Sequence, residues 1–355
     1  MAKVQTKATG DRGKYRFSFG PWNISEGADP FGPQTRDPVA FASKLKVYRK
    51  LGFAGVQFHD DDAVPDLNRL SRQSVVAKAT ALGKVLKNEG LEPEFVAPRL
   101  WEDPRTIDGG YTSNSPALRQ YAVDRSLLAI DIADALGCRN IVLWLAREGT
   151  YIRESKNARV AHEYLLSAIN KMLNHHPYIR IMIEPKPNEP MDHAYVPTIG
   201  HAISLAYLSM DPNRVGGLIE TAHAKLAGLD PSDEMAFALF HKKLWSVHLN
   251  DQNGLKFDED KNFGAANLRE AFNQVRVLEE GGYGSEGEMV GLDVKTFRTQ
   301  KQTNNTAHLA NSKRFFELMV RKVRTFDRKA EARFIKDRDY EGLERLVIEH
   351  LLGLK

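Results

Sequence analysis

Short apolar runs and long amphipathic stretches alternate eight times along this chain. The apolar runs fall at residues 15–20, 55–59, 92–97, 140–145, 179–184, 215–220, 245–249 and 289–293. Val, Ile, Leu and Phe occupy consecutive positions in them, the pattern of strands buried on both faces. Helical patterns follow at 38–51, 71–88, 116–136, 158–174, 201–208, 233–243, 267–278 and 307–323. Pro38 opens the first of these, where its missing N–H costs nothing, and Gly52 stands just past its end. Strands alternating with helices in this way pair in parallel, and eight such units close on themselves. The predicted fold class is therefore α/β, a (β/α)8 TIM barrel over residues 1–325. Past Thr325 the pattern changes to two charged helices, 328–338 and 340–352, which predict a short C-terminal helical arm over 326–355, lying on the barrel or on a neighbouring subunit.

Composition narrows the function classes. With 42% hydrophobic and 27% charged residues, the chain has the make-up of a globular protein, not a disordered one. The formal net charge of +4 comes from Lys and Arg scattered along the chain, so no nucleic-acid surface is expected. Cys138 is the single cysteine, which excludes an intramolecular disulfide; its neighbours Leu136, Ile141 and Val142 mark it as a buried apolar side chain. Residues 1–13 are polar and basic without an apolar core, so no signal peptide is read there, and no uncharged apolar run is long enough for a membrane span. A reducing, cytoplasmic setting fits these features.

In such a barrel the functional face lies at the C-terminal ends of the strands. Polar residues gather there. The second run ends in His59-Asp60-Asp61-Asp62, the fourth leads to Trp144 and Arg147-Glu148-Gly149, and the fifth ends in Glu184-Pro185-Lys186-Pro187-Asn188-Glu189-Pro190. The sixth ends in Glu220 with His223 beyond it, the seventh in His248-Leu249-Asn250-Asp251 with Asp258 and Asp260 following, the eighth in Asp293 and Lys295. A single carboxylate after a strand is as readily a helix cap. So many around one rim repel one another, and a divalent cation relieves that repulsion. Carboxylates with one or two imidazoles suit Mg²⁺, Mn²⁺ or Co²⁺. Glu220 and His223 reach one site only if the backbone turns between them. Asp258 and Asp260 share a side if their loop is extended. These two pairs form one four-ligand set; Glu184, Glu220, His248 and Asp293 form a second, bridged to the first by Glu220. Glu259 and Asp60 read as solvated or structural.

These residues resemble the xylose (glucose) isomerase family over nearly the whole chain, from Phe17-Ser18-Phe19-Gly20 to His350-Leu351-Leu352-Gly353. The strongest pieces are Phe58-His59-Asp60-Asp61-Asp62, the Ile183–Pro190 segment and Gln252-Asn253-Gly254-Leu255-Lys256-Phe257-Asp258-Glu259-Asp260, with Asp29-Pro30-Phe31-Gly32 in support. The resemblance implies a metal-dependent aldose–ketose isomerase with two divalent metal ions per chain. It implies that His59, paired with Asp62, assists sugar ring opening, that Lys186 holds the substrate O1, and that Trp22 and Trp144 wall the sugar. It further implies that Phe31 enters a neighbouring subunit's pocket, so a homo-oligomer, dimer or tetramer, is expected. Glu184, Glu220 and Asp293 match the family's structural metal site; Glu220, His223, Asp258 and Asp260 match its catalytic one.

Three departures stand out. The family carries aspartate at the seventh-strand position occupied here by His248, although a two-residue shift puts Asn250 there instead. Phe95 and Ala97 replace a smaller apolar residue and a hydroxyl in the pocket. The arm is also shorter than the family's. An unphosphorylated monosaccharide is the expected substrate, because no glycine-rich phosphate loop follows the seventh or eighth run. The competing reading is a sugar epimerase or lyase on the same barrel, moving a proton with one metal; the second ligand set argues against it. A non-catalytic barrel has no need of Lys186 and His59 beside complete ligand sets.

Overall fold

The structure, a computed structural model, describes residues 15–354. The segment 1–13, read above as carrying no signal peptide, lies outside the described residues. The eight barrel strands are β1 Phe17–Phe19, β2 Gly55–His59, β3 Glu92–Ala97, β4 Asn140–Trp144, β5 Arg180–Glu184, β6 Val215–Glu220, β7 Leu244–Leu249 and β8 Val290–Leu292. Each pairs in parallel with its sequence neighbours, and β1 closes the ring on β8. The eight helices that follow them are α1 Phe41–Leu51, α2 Arg72–Asn88, α3 Pro116–Leu136, α4 Ala158–His175, α5 Ile199–Leu208, α6 Pro231–Phe240, α7 Leu268–Gly281 and α8 Ala307–Thr325. The predicted (β/α)8 barrel is what forms.

Helix ends follow local chemistry. Ser71, Asn157, Asp230 and Asn267 each accept a backbone N–H in the first turn of the helix they precede, and Gly52, Gly137 and Gly282 close α1, α3 and α7 in the left-handed conformation. The first turns of α5 and α6 begin earlier than apolar periodicity indicated: the first N–H of α5, on Ile199, donates to Glu234 at 3.0 Å, and Asp230 with Pro231 sets the start of α6. Outside the barrel, Gly149–Thr150 pairs antiparallel with His193–Ala194, tying the rim loop after β4 to that after β5. Two residues a side leave no periodicity to read.

Most of the core lies between strands and helices, with Phe17, Phe19, Tyr48, Phe272 and Phe316 among its largest fully buried members. Inside the barrel a smaller cluster of Phe95, Ala97, Val142, Met182 and Leu218 forms a floor under the C-terminal rim. Cys138 is buried as expected, its thiol pushed up to about 12 by burial. The arm is two helices, α9 Arg328–Asp337 and α10 Tyr340–Leu352. They lie on their own barrel: Glu331 pairs with Arg276 at 2.6 Å, and the His350 ring meets Phe272 and Phe326. Among the described residues no helix is long and apolar enough to cross a membrane.

Candidate metal centre

Strand register sets the site. In the barrel, Trp144 lies beside Glu184 on β4 and β5, and Glu220 beside His248 on β6 and β7; Asp293 follows the last residue of β8. Parallel pairing thus delivers residues far apart in sequence to one end of the barrel. His248 has room because Gly291 stands opposite it: a Cβ there would fall 2.4 Å from the Val247 carbonyl and 3.2 Å from the His248 ring. Past β6 the chain turns at once into a short helix, Thr221–Leu226, which brings the His223 Nε2 within 3.3 Å of Glu220. This is the turn that the Glu220–His223 pair required.

Glu220 stands at the centre of three groups of possible ligands. It shares one with Glu184 and His248, one with His223 and Asp258, and one with Asp260 and Asp293, the ligand atoms of each group lying within 4.8 Å of one another. The first lacks Asp293, the fourth member expected, although the His248 Nδ1 lies 4.0 Å from it as well as 3.1 Å from Glu184 and 3.8 Å from Glu220. The second set is rearranged. Asp260 does not join His223 and Asp258, because its loop is not extended: its φ is 47°, in the left-handed region. Asn250 donates to it at 3.0 Å and Lys295 pairs with it, holding it toward Asp293. Asn250 also donates to Glu220 at 2.9 Å while accepting from the Ala222 N–H, so it braces the two carboxylates. Glu259 is structural, buried between Lys256 and Lys261, and so is Asp60, held by a bidentate Arg125.

The electrostatics are those of a crowded anionic pocket. Burial, with the charge of Asp258, pushes Glu220 and Asp260 well above the usual carboxylate range. Asp258 is held well below it, because Lys186 and His223 outweigh burial. His248 rises well above an ordinary imidazole; burial opposes this, and Glu184 followed by Glu220 and Asp293 overcomes it. Three buried atoms, the His223 Nδ1, the His248 Nε2 and the Asp258 Oδ1, have no hydrogen-bond partner among the described residues. Carboxylates forced toward their protonated forms, mixed with imidazoles, fit a divalent cation.

The other predicted residues surround a cavity of about 640 Å³. Lys186 reaches into it, 2.9 Å from Asp258 and 3.3 Å from Glu189. Trp22 donates to Asp293 at 3.0 Å and stacks on His59, with ring centres 4.1 Å apart. It lies over Gly20, where a Cβ would fall 2.1 Å from the indole. Trp144 stands opposite, and Phe95 forms the floor. Phe31 does not line the cavity of its own chain; it is 79% exposed, and its ring meets Phe257 edge-on. His59 and Asp62 pair as predicted at 2.8 Å, because His59 caps the short helix Asp60–Ala63 and the two lie three residues apart. Burial would raise Asp62, yet His59 and then Arg99 hold it below its usual range.

Arg99 and Trp101 are the residues that sequence reasoning missed. In this stretch the sequence singles out Phe95 and Ala97, four and two residues before Arg99. A basic and an aromatic residue just past β3, at the C-terminal rim, are the features that point to Arg99 and Trp101. Trp101 packs edge-on against both His59 and Trp144. Trp22, His59, Trp101 and Trp144 thus form a continuous aromatic wall.

Residues 45–296 match the family model described as xylose isomerase-like TIM barrel. Among solved structures, the chain is similar to a D-tagatose 3-epimerase-like protein, at 16% identity and a TM-score of 0.64 over 87% of this chain and 99% of that one. It is also similar to the IolI protein with a binding zinc atom, at 14% identity and a TM-score of 0.63 over 87% and 99%. An L-ribulose 3-epimerase matches at 15% identity and a TM-score of 0.61 over 90% and 98%. At such identities the likeness is one of fold.

Proposed function

The chain belongs to the xylose isomerase-like TIM barrel family, and from that premise we propose that it is a metal-dependent isomerase converting an unphosphorylated aldose into its ketose. The observation that carries this reading is Glu220 at the junction of separate ligand groups, with the Lys186 ammonium beside one of them. Glu184, Glu220, His248 and Asp293 would hold one divalent ion; Glu220, His223 and Asp258 would hold a second, with Asp260 within reach once released from Lys295. Bound Mg²⁺, Mn²⁺ or Co²⁺ supplies Lewis acidity toward the sugar oxygens next to the carbons that exchange hydrogen.

The protein's own groups do the rest. Lys186, nearly fully buried and flanked by Pro185 and Pro187, has its ammonium aimed into the cavity and holds the terminal oxygen of the open chain. His59 lines the wall where a ring oxygen would be met. Trp22, Trp101, Trp144 and Phe95 exclude water from the reacting carbons, which favours hydrogen passing directly from one carbon to the next over exchange with solvent. The free cysteine fits a reducing, cytoplasmic setting.

A second reading, a one-metal epimerase moving a proton, is supported by the compact Glu184–Glu220–His248 group and by the epimerases among the similar structures. The two separate in a screen of unphosphorylated aldoses and ketoses with Mg²⁺, Mn²⁺ or Co²⁺ in heavy water. Isomerisation by direct transfer gives a ketose without carbon-bound deuterium, and metal analysis approaching two equivalents. An epimer carrying deuterium at the inverted carbon, with one equivalent of metal, would replace the first reading by the second.

A further inference from the structure

We infer that Gln57, from inside the barrel, accepts the Nε2–H of His248 and so aims the other ring nitrogen at the metal group. The inference rests on the reading of His248 as a ligand. The His248 Nδ1 faces Glu184 at 3.1 Å and Glu220 at 3.8 Å, so Nδ1 is the nitrogen turned toward a bound ion. With a metal ion on Nδ1, the one remaining ring proton sits on Nε2. That nitrogen is buried and has no hydrogen-bond partner among the described residues. A ligating imidazole almost always gives its second N–H to a carboxylate, a carbonyl or a water, because that bond fixes the ring and makes it a better ligand.

The matching acceptor is Gln57 Oε1, also buried and also without a partner among the described residues. Its amide is held one way round. The Gln57 Nε2 donates to Glu94 Oε2 at 3.0 Å and to Ser18 Oγ at 3.2 Å. Turning the amide over would set its oxygen against the Glu94 carboxylate, acceptor against acceptor. Amide and imidazole flank one notch. Gly291 pairs with His248 on one side and with Ser18 on the other. A Cβ at Gly291 would fall 2.6 Å from the Gln57 Nε2 and 3.2 Å from the His248 Cδ2, the ring carbon bonded to Nε2. With no side chain at 291, the amide and this edge of the ring approach each other. Phe95 also meets the ring, with centres 5.7 Å apart, and has no lone pair to offer the proton. The bond to the Gln57 carbonyl forms directly after a small turn of the side chain, or through one water.

Glu94 gives the amide its strength. Its buried carboxylate takes the Gln57 N–H on one oxygen and the Ser246 hydroxyl, at 2.8 Å, on the other. Ser246 stands on β7, across the barrel from β3, so these bonds run through the interior. A carboxylate that accepts from an amide N–H draws electron density toward the amide oxygen, which becomes a stronger acceptor. The order Glu94, Gln57, His248 thus carries the influence of a buried negative charge to the imidazole without adding that charge to the metal group. Gln57 and Glu94 are positioning residues, since neither lines the cavity. Their effect concerns metal binding, so it holds for either reaction considered above.

The test is calorimetric titration of Mn²⁺ into the metal-free full-length chain, into His248→Ala, into Gln57→Met and into the double variant. Gln57→Met keeps the length of the side chain and removes its carbonyl. Each single variant is expected to bind Mn²⁺ roughly tenfold or more weakly, and adding Gln57→Met to His248→Ala should cost nothing further. Unchanged affinity in Gln57→Met beside a weakened His248→Ala overturns the inference and leaves His248 a ligand. A loss of the same size in the His248→Ala background also overturns it, since Gln57 would then act elsewhere. Unchanged affinity in His248→Ala instead removes the ligand reading, and the inference with it. A crystal structure of the unsubstituted protein with Mn²⁺ decides the question even where the variants fail to fold. The expected result is the His248 Nε2 bonded to Gln57 Oε1, directly or through one water; any other partner for that nitrogen, or none, overturns the inference.

Discussion

Lys186 spends its charge on Asp258 and Glu189, so it plays two parts that substitution can separate. With Lys186→Met, turnover is expected to fall by roughly 100-fold or more, the scale of losing one preorganised charge donor, while the barrel still forms. The metal-free variant is also expected to unfold more easily, because a buried carboxylate loses its partner. Steady-state kinetics beside chemical unfolding checks both, and a variant that keeps most of its turnover and loses only stability reduces the lysine to a counter-charge. His248 brings a second expectation at this scale. Three carboxylates converge on its Nδ1 and raise its proton affinity, and an imidazole must shed that proton to ligate. Metal binding is therefore expected to release a proton and to weaken as pH falls. His248→Asp, which restores the family's residue, should retain metal to lower pH, and His248→Ala should bind roughly tenfold or more weakly at every pH. Calorimetric metal titrations at several pH values decide it: identical affinities and slopes in all three proteins would place His248 outside the centre.

Between elements, α8 is joined to the loop after β1 through His308. Its Nδ1 pairs with Thr296 and its Nε2 with the Asn23 carbonyl, each at 2.6 Å. Asn23 in turn donates to Asp293 at 3.0 Å, so this histidine supports a metal-ligand candidate from behind. Burial, helped by the charge of Arg36 and opposed by the Asn23 carbonyl, pulls His308 down from 6.5 to about 4. The sign follows from which state binds the proton first. The unfolded chain takes it up as pH falls through about 6.5, and the folded chain only near 4. Stability from this residue is thus complete above the first value and is lost on the way down to the second, by about 3 kcal/mol. Unfolding curves of the metal-free protein and of His308→Gln across that window should diverge, with the variant flatter. Parallel pH dependences would show that the proton goes elsewhere.

At the scale of the molecule, Phe31 follows the cavity-lining Pro30 and is left uncovered by its own chain. Phe31 is 79% exposed and packs edge-on against Phe257, an aromatic pair at the surface that an interface would cover. The chain is expected to self-associate with Phe31 entering the partner's cavity. Sedimentation at micromolar concentration should give a dimer or tetramer, and Phe31→Ser should shift it toward monomer with loss of activity. A fully active monomer would refute this. The arm contributes to its own barrel through the pairs Arg276–Glu331 and Arg269–Glu344, so removing it would be felt within the chain before any interface.

Periodicity alone determined the barrel. Strands buried on both faces must be continuously apolar and their helices amphipathic, and eight such units have one way to close. The same logic located the site, because polar residues that interrupt an apolar strand only at its C-terminal end have one rim to occupy. His59 with Asp62 and Glu220 with His223 were legible because each pair spans a single helical turn. The rest depended on contacts that no spacing encodes. Asp260 turned from Asp258 to Asp293 because one residue adopts a positive φ and Asn250 and Lys295 hold it there. Arg99 reached His59 because β2 and β3 are neighbours in the barrel, which places Ala97 beside His59 and the loop after β3 over the ring. Sequence records which side chains each strand delivers to the rim, whereas the rim's closed circle decides which of them meet.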